Sequence, residues 1–574
     1  MSFLLTLTII LPLLGAVGTL LVSSLPHRRV RLYARTIALV AAGITVILIL
    51  SLGRTDPVRV NLSLWQPSLL FGAALALRTD VFMQPLALAL ALATCSVFLV
   101  NLGRSGESLP LEAGSPPELR LTERSSWLMA VLLALLSAGL AALWAANLLT
   151  MIISWTIYDL LSAAGHMAIG GSRSKAVRGL IFGGVATLLL WSGALLSESG
   201  VGSEQWTLVT LGNTQLALWI LAGVLRLWLY PFHLPASGDS QGGASFYGAT
   251  PLATPLLLDP ILGWGLWFRL ASASGGAIPV GAGSPGGGWV SSIAAITLAL
   301  GGFLAWSCKS PRHSLPWIGM GVMGSVLLAA VLAGEDAAAI IAAGGVVWLL
   351  GVTVLSLMPF LNAGLRQDAP WWGIPSVLAA LALVGAPLTL GFVIEAILMG
   401  ALTGGGHPGW GVAFFVGHLF LIPALARWLL SPAPFSPPGQ RWRLVVGGIG
   451  LGLPALLLIV AGLYPPIFVD GASFLLLGTL LARPGLMGWL LWVLPLAGGG
   501  VLIWQEENLR PTIELWLSAA HDLLRLEWLY ELLVGALERG LGVLRVADEI
   551  VGGAGALLWS WVLFLVFLLI WRGR

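Results

Sequence analysis

Long apolar stretches alternate with short polar connections along nearly the whole chain. A helix needs about 20 apolar residues to cross a bilayer. Stretches of that length predict sixteen membrane helices, a count uncertain by one or two because the connections near residues 148 and 335 are short. The predicted spans are 3–23, 33–53, 78–101, 126–147, 149–170, 176–197, 209–230, 251–271, 288–307, 314–333, 336–361, 374–402, 408–430, 442–464, 484–504 and 552–571.

One apolar stretch, Leu381 to Gly400, is interrupted in its middle. Gly385, Pro387 and Gly391 break the helical pattern, and Glu395 follows about one turn later. An ionisable side chain at membrane depth costs several kcal/mol and usually marks an ion or proton path. Broken helices at such positions are common in transporters. The stretch therefore predicts a transport site at Glu395.

A second break is predicted near Pro231, in the run LRLWLYPFHLPAS. The segments 126–273 and 288–430 each hold five predicted helices, and each holds one of the two breaks. Because five is odd, two such units in series lie in opposite orientations across the membrane. The pattern predicts an inverted repeat, as in many transporters.

The segment 506–551 has a different pattern. Its apolar residues recur at helical spacing, but its charged residues are too many for a membrane span. We predict an amphipathic helix that begins near Pro511, lies flat on the cytoplasmic face and binds a neighbour; two interfacial helices broken near Gly540 are the alternative. The predicted divisions are 1–125, 126–273, 288–430, 431–505, 506–551 and a final anchor helix in 552–574.

Composition agrees with this all-α polytopic membrane class. Of the 574 residues, 58% are hydrophobic and 9% charged, and the mean hydropathy is +0.94. Basic residues cluster in the loops after the first, third, fifth, ninth and thirteenth spans, which predicts that these loops are cytoplasmic and the N-terminus outside. The net charge of +3 is spread over loops and does not indicate a nucleic-acid partner. Cys95 and Cys308 lack the spacing of a disulfide or metal site.

Several strings, taken in order, resemble one family. They are Arg78-Thr-Asp80, NLLTMIISW ending at Trp155, Lys175-Ala176, Pro231-Phe-His233-Leu-Pro235, Gly263 to Arg269, Arg312 to Gly324 and Gly385 to Glu395. The resemblance is to the antiporter-like membrane subunits of respiratory complex I, which are shared with Mrp-type cation/proton antiporters and membrane-bound hydrogenases. The C-terminal segment resembles the lateral helix and anchor of the distal complex I subunit.

The resemblance implies a subunit of a redox-driven complex in a prokaryotic inner membrane. Its partners would be other membrane subunits, the lipid bilayer and protons, with Na⁺ as the alternative ion. It would hold no redox cofactor or metal of its own, so an enzymatic activity would belong to the complex. Two alternatives stay open. One is a structural subunit that has lost the relay lysines and clamps its neighbours. The other is a cation/proton transporter, either an Mrp-type antiporter subunit or a free-standing cation/proton or bicarbonate-linked transporter.

The resemblance also implies the site residues, with departures. The family's fifth-helix glutamate falls at Thr156, and Asp159, which we expect on the same helical face, would replace it. Arg226 stands at the seventh-helix lysine, although a guanidinium cannot release its proton. Ile261 replaces a further lysine, and Glu395 alone stands where the family places an acid.

The predicted proton path is Asp159 and Arg226 as the input pair, His233 and Asp259 as central sites, and Glu395 as the exit. Each residue also has an ordinary structural interpretation. Glu395 could form an ion pair with an arginine, Asp159 could be a satisfied buried acid facing Arg226, and His233 and Asp259 could satisfy backbone groups at a break. His166 and His418 are interpreted as packing or hydrogen-bonding residues.

Overall fold

The structure is a computed structural model that covers most of the chain. It describes residues 2–24, 30–52, 58–62, 75–81, 83–103, 119–168, 173–196, 213–233, 250–279, 287–365, 370–405, 408–431, 440–467, 477–532 and short pieces after residue 532.

The described residues form seventeen α-helices with short 3₁₀ turns and one pair of strands. In lipid every backbone N–H and C=O must be satisfied within the protein, and apolar stretches of this length achieve that as helices. The helices are α1 (Ser2–Ser23), α2 (Val30–Ser51), α3 (Met83–Gly103), α4 (Leu119–Leu143), α5 (Leu148–Ala168), α6 (Arg173–Leu195), α7 (Asn213–Arg226), α8 (Ile261–Ala273), α9 (Gly287–Ser307), α10 (Leu315–Leu332), α11 (Ala337–Leu361), α12 (Ile374–Val384), α13 (Leu390–Gly404), α14 (Pro408–Leu430), α15 (Arg441–Leu463), α16 (Leu477–Ala482) and α17 (Gly485–Leu524).

The predicted all-α polytopic class is confirmed. Twelve of the described helices are long and apolar enough to cross a membrane. The other predicted spans up to residue 504 fall on shorter helices, because α7 ends early and the spans 251–271 and 374–402 are each interrupted. Most of the predicted span 552–571 lies outside the described residues.

The region before α3 was predicted wrongly. Span 78–101 was expected to be helical from its start, but Ala76–Arg78 is a strand, β2, and α3 begins only at Met83. Strand β2 pairs antiparallel with β1 (Arg59–Asn61). The Ala76 amide also donates to the Thr150 hydroxyl on α5 at 2.9 Å. Strand pairing depends on partners distant in sequence, which the local pattern of apolar residues does not reveal.

Helix α11 lies in the core formed by residues Met1–Ile513. Every residue of α11 except Pro359 is buried, and it packs against α3, α8, α10, α12, α13 and α15. It contains no ionisable side chain. A helix that is apolar on all sides is one that is surrounded by protein, so the charged groups described below lie on the helices around it.

Three helix interruptions position charged residues. Both predicted breaks occur: α7 ends at Arg226 ahead of an irregular segment that includes a cis Tyr230–Pro231 bond, and residues 385–389 separate α12 from α13. The third lies inside 251–271, which was predicted as one span, although a break at Asp259 was one interpretation of that acid. A 3₁₀ segment, Pro251–Leu257, gives way to α8 across residues 258–260, so the span 251–271 is not one helix. The proline after Asp259 disfavours helical backbone at Asp259.

The predicted boundary at residue 505 is absent. Pro511 was expected in the first turn of a new helix, but it lies inside the 40-residue α17. The chain divides instead into two compact units, Met1–Ile513 and Glu514–Arg574. The inverted repeat, the remaining divisions, the flat cytoplasmic helix and the membrane orientation stay predictions.

Candidate functional site

The end of α7 carries a buried ion pair. The Arg226 guanidinium donates to both carboxylate oxygens of Asp159 on α5, at 2.5 and 2.6 Å. It also donates to the Gly183 carbonyl at 3.3 Å and the Thr187 hydroxyl at 3.2 Å, both on α6. Both side chains are at least nine-tenths buried. A bidentate pair with further acceptors is the arrangement that makes a buried arginine tolerable.

The surrounding residues shape this pair. Gly183 lets α6 approach the carboxylate, because a Cβ at that position would lie 2.6 Å from an Asp159 oxygen. The buried Trp155 ring lies under the guanidinium, 4.4 Å from its carbon, and adds a cation–π contact. Thr156 is exposed whereas Asp159 is buried, so the two do not share a face as predicted. Asp159 is nevertheless the carboxylate that binds Arg226.

Asp259 lies at the third interruption, close to this pair. The Ser162 hydroxyl on α5 donates to its two carboxylate oxygens, at 3.1 and 2.9 Å. The Tyr158 hydroxyl is a second hydrogen-bond partner, and Asp159 and Arg226 are near enough to act on Asp259 electrostatically. The structure therefore brings Asp159, Arg226 and Asp259 together on α5, α7 and the start of α8.

His233 lies in the irregular segment after α7. It is fully buried. Its ring stacks on Tyr230 with the centroids 5.2 Å apart, and its centroid lies 4.9 Å from that of Trp317 on α10. One amide of the break is satisfied from α9, because the Tyr230 N–H donates to the Thr297 hydroxyl at 3.1 Å. The neighbouring Pro235 lies outside the described residues.

The break before Glu395 is a Schellman ending. The Ala386 amide donates to the Leu381 carbonyl at 2.8 Å and the Gly385 amide to the Ala382 carbonyl at 3.2 Å. Gly385 has a φ of +72°, and a Cβ there would lie 2.1 Å from Cγ of Glu395. Gly385 is therefore required twice, for the left-handed backbone and for the space that the Glu395 side chain occupies.

Glu395 is buried on α13, with 3% exposure. The Ser325 hydroxyl on α10 donates to its Oε1 at 2.7 Å, and Nε2 of His418 on α14 lies 3.4 Å from the same oxygen. The second oxygen, Oε2, has no hydrogen-bond partner among the described residues. The ordinary interpretation of Glu395 as the partner of an arginine is wrong for this structure. Its ionisable neighbour among the described residues is His418, which the sequence had suggested was a packing or hydrogen-bonding residue.

The site has two parts, and each contains a carboxylate with a different partner. His418 is 23 residues from Glu395 on a separate helix, and no local pattern links them; the only sequence signal was a histidine within an apolar span. Among the described residues, no group of three or more His, Cys, Asp or Glu side chains is placed to hold a metal ion. The carboxylates, the arginine and the histidines of these two parts can bind protons and pair charges.

The fold and these buried charges define a class, the polytopic membrane proteins with helices broken beside ionisable residues. No protein-family model matches the chain. Among curated proteins it is 25% identical over 370 residues to NADH-quinone oxidoreductase subunit N of Geobacter metallireducens, which covers 58% of this chain and 74% of that one. It is also 25% identical over 386 residues to NADH-quinone oxidoreductase subunit N of a Mycobacterium species, and the match covers 60% of this chain and 78% of that one.

Solved structures share the fold. A chain of the archaeal membrane-bound sulfane sulfur reductase matches 98% of this chain and 99% of its own length, with a TM-score of 0.69 and 16% identity. A chain of the Dietzia Mrp complex matches 98% of this chain and 62% of its own, with a TM-score of 0.68 and 17% identity. A chain of Thermus thermophilus respiratory complex I matches 80% of this chain and 98% of its own length, with a TM-score of 0.55 and 16% identity.

The resemblance to the antiporter-like membrane subunits is confirmed by these relatives and folds. The sequence relatives are subunit N, and the finer likeness to the distal subunit with its lateral helix stays a prediction. The relatives and neighbours are parts of multi-subunit membrane complexes. This chain is a multi-pass membrane protein.

Proposed function

We propose that this chain is an antiporter-like subunit of a redox-driven, complex I-type membrane assembly and that protons cross the membrane through it. The observation that carries the proposal is Glu395, a buried carboxylate beside a helix break. Among the residues that the structure describes, no fixed positive charge is bound to it. A carboxylate in such a place can gain and lose a proton without leaving an arginine unpaired.

The pair at the end of α7 would supply the fixed charge. Arg226 holds its proton permanently, so it cannot pass one on. In this proposal Asp159 and Arg226 set the local field, and Asp259 and His233 are the intermediate proton sites. Trp317 and Ser325, both on α10, are eight residues or about 12 Å apart along the helix. Helix α10 therefore contacts both His233 and Glu395.

The basic loops and the relatives support a proposal for the surroundings of the chain. We place the chain in a prokaryotic inner membrane with its N-terminus outside and the loops 28–35, 173–178 and 441–443 in the cytoplasm. Other membrane subunits are its partners and protons its ion, with Na⁺ as the alternative. Redox cofactors belong to other subunits of the assembly.

The test is proton translocation by the intact complex in proteoliposomes. Glu395→Gln keeps the shape of the side chain and removes its titratable charge, so the complex should assemble while the protons moved per electron fall. Glu335→Gln is the matched control, because Glu335 is exposed in the connection between α10 and α11. An unchanged proton yield in Glu395→Gln would contradict the proposal.

A second candidate function is that of a clamp, and one observation favours it. The residues after 513 form a compact unit of their own in which Leu515 and Trp516 are 79% and 76% exposed. Exposed leucine and tryptophan, together with charges of both signs, suit a protein partner better than an anionic lipid surface.

Truncation tests the clamp. A stop after Ile513 keeps Glu506 and Arg510, which bind Arg427 and the carbonyls that end α9. We expect the shortened chain to stay inserted in the membrane but to separate from its complex in mild detergent. Co-purification at full yield would rule out the clamp.

A further inference from the structure

The imidazole of His418 has one nitrogen committed to the backbone of its own helix. Its Nδ1 lies 3.1 Å from the Phe414 carbonyl oxygen. A carbonyl oxygen can only accept a hydrogen bond, so Nδ1 must carry a hydrogen. Stacking on the Phe414 ring, with centroids 4.2 Å apart, holds the imidazole in this orientation.

This fixes what Nε2 can do. With its hydrogen on Nδ1, neutral His418 presents a lone pair from Nε2 to Oε1 of Glu395, 3.4 Å away. If Glu395 were also ionised, two electron-rich atoms would face each other in a buried site. The contact becomes favourable when one proton is present, either on the carboxyl group or on Nε2. The Ser325 hydroxyl does not replace this proton, because it donates to Oε1 whether the proton is on the carboxyl group or on Nε2.

We propose that Glu395 and His418 act as a two-site proton carrier, in which one proton passes between the carboxylate and Nε2 of His418. The inference rests on the proposed function and adds a residue to it. In the transfer the O–H bond of the Glu395 carboxyl group breaks and an N–H bond forms at Nε2, leaving a carboxylate beside an imidazolium. The reverse step restores the neutral pair.

The charged side chains on the surrounding helices are bound to other groups and do not fix the proton between Glu395 and His418. Helices α9 to α14 contain three Asp, Glu, His, Lys or Arg side chains, namely Glu395, His418 and Arg427. Arg427 is bound to Glu506, with its Nε 2.8 Å from the carboxylate. Arg483, which packs at Gly400 on α13, pairs with Asp336 at 3.7 Å.

Helix α15, which also packs on α13, carries Arg441 and Arg443 in its first turn. The Arg443 guanidinium lies over the Trp442 ring. None of these arginines has an ion pair or hydrogen bond to Glu395 among the described contacts, so the positive charge that can neutralise its carboxylate by direct contact is a protonated His418.

Infrared difference spectroscopy of the intact complex during electron transfer tests the proposal. With isotopically labelled histidine, we expect a label-sensitive imidazolium band and a carboxyl C=O band that change together with opposite sign. Both signals should vanish in Glu395→Gln and in His418→Gln, because each residue needs the other as its proton partner. A residue with a purely structural role would give no such reciprocal loss. Histidine bands that stay constant during turnover, or that persist in Glu395→Gln, would overturn the proposal.

Proton translocation separates this inference from the proposed function. His418→Gln places an uncharged amide near Glu395 and should reduce the protons moved per electron. His166→Gln is the matched control, since His166 is a buried histidine on α5 and its replacement should leave the yield unchanged. A loss in Glu395→Gln with a normal yield in His418→Gln would overturn the carrier alone, and normal yields in both would overturn the proposed function as well. If His418→Gln fails to assemble, the infrared spectrum of the unaltered complex decides.

Discussion

Asp159 and Glu395 are both buried carboxylates beside a helix interruption, but their partners differ. Asp159 binds the Arg226 guanidinium through both oxygens, whereas Glu395 has a serine and a histidine near one oxygen. An arginine keeps its charge at every accessible pH, while a histidine gains or loses charge within the physiological range. The first site therefore pairs its carboxylate with a permanent charge, and we propose that the second exchanges a proton.

If this proposal holds, burial alone does not make an acid a proton site. What matters is whether its partner can become neutral at the same time. A buried pair with a permanent cation resists proton exchange, because neutralising the acid leaves the cation unpaired. The predictions below test this difference, from the largest expected effect to the smallest.

Asp159→Asn should destabilise the protein most. It leaves the buried Arg226 guanidinium without its carboxylate, and breaking one side of a buried pair costs about 3–5 kcal/mol. Glu395→Gln is the comparison, with an expected loss of about 1 kcal/mol, the size of one hydrogen bond, because His418 can become neutral. Unfolding by increasing SDS in mixed micelles measures both. Equal losses in the two variants would mean that the two sites do not differ in this way.

Gly385→Ala should have an intermediate effect on stability and move Glu395. The added Cβ requires a left-handed alanine and lies 2.1 Å from Cγ of Glu395. We expect a loss of about 1–3 kcal/mol, which is the range for strained backbone, together with reduced proton translocation.

Gly275→Ala separates the two causes. Gly275 has a φ of +78° and nothing within 4 Å of an added Cβ, so it reports the backbone strain alone. If both glycine variants translocate protons normally, the Gly385 break does not position Glu395.

Arg226→Lys should have the smallest effect. Lysine keeps the charge near Asp159 but cannot make the bidentate contact, so we expect a loss of about 1 kcal/mol in the same unfolding assay. Proton translocation should be retained or improved, because lysine can release a proton where arginine cannot. A collapse of assembly in this variant would show that the guanidinium geometry, and not its charge, is what the site requires.

Much of the fold was predictable because bilayer-spanning helices depend on local apolar length. The breaks at Pro231 and Pro387 were also predictable from local sequence, because glycine and proline act on the backbone at their own positions. The third interruption had a local signal, the proline after Asp259. The predicted helix start at Pro511 failed because a helix can continue through a proline where the lost hydrogen bond is compensated.

The site was less predictable than the fold because its contacts join distant helices. Asp159 and Arg226 were expected to face each other, and they do. The partner of Glu395 was not found, since α13 and α14 pack so that Glu395 and His418 meet across 23 positions of sequence. The contact between Ser162 and Asp259 joins residues 97 positions apart. Such contacts depend on the angles at which the helices pack, and the spacing of apolar residues along one helix does not specify those angles.

The most direct test of the account is the number of protons translocated per electron, measured side by side for Glu395→Gln and Arg226→Lys in the same proteoliposomes. If Glu395 exchanges a proton and Arg226 supplies fixed charge, the yield falls in Glu395→Gln and is kept or raised in Arg226→Lys. A normal yield in Glu395→Gln together with a loss in Arg226→Lys would contradict the account, because the exchangeable site would then lie at the end of α7.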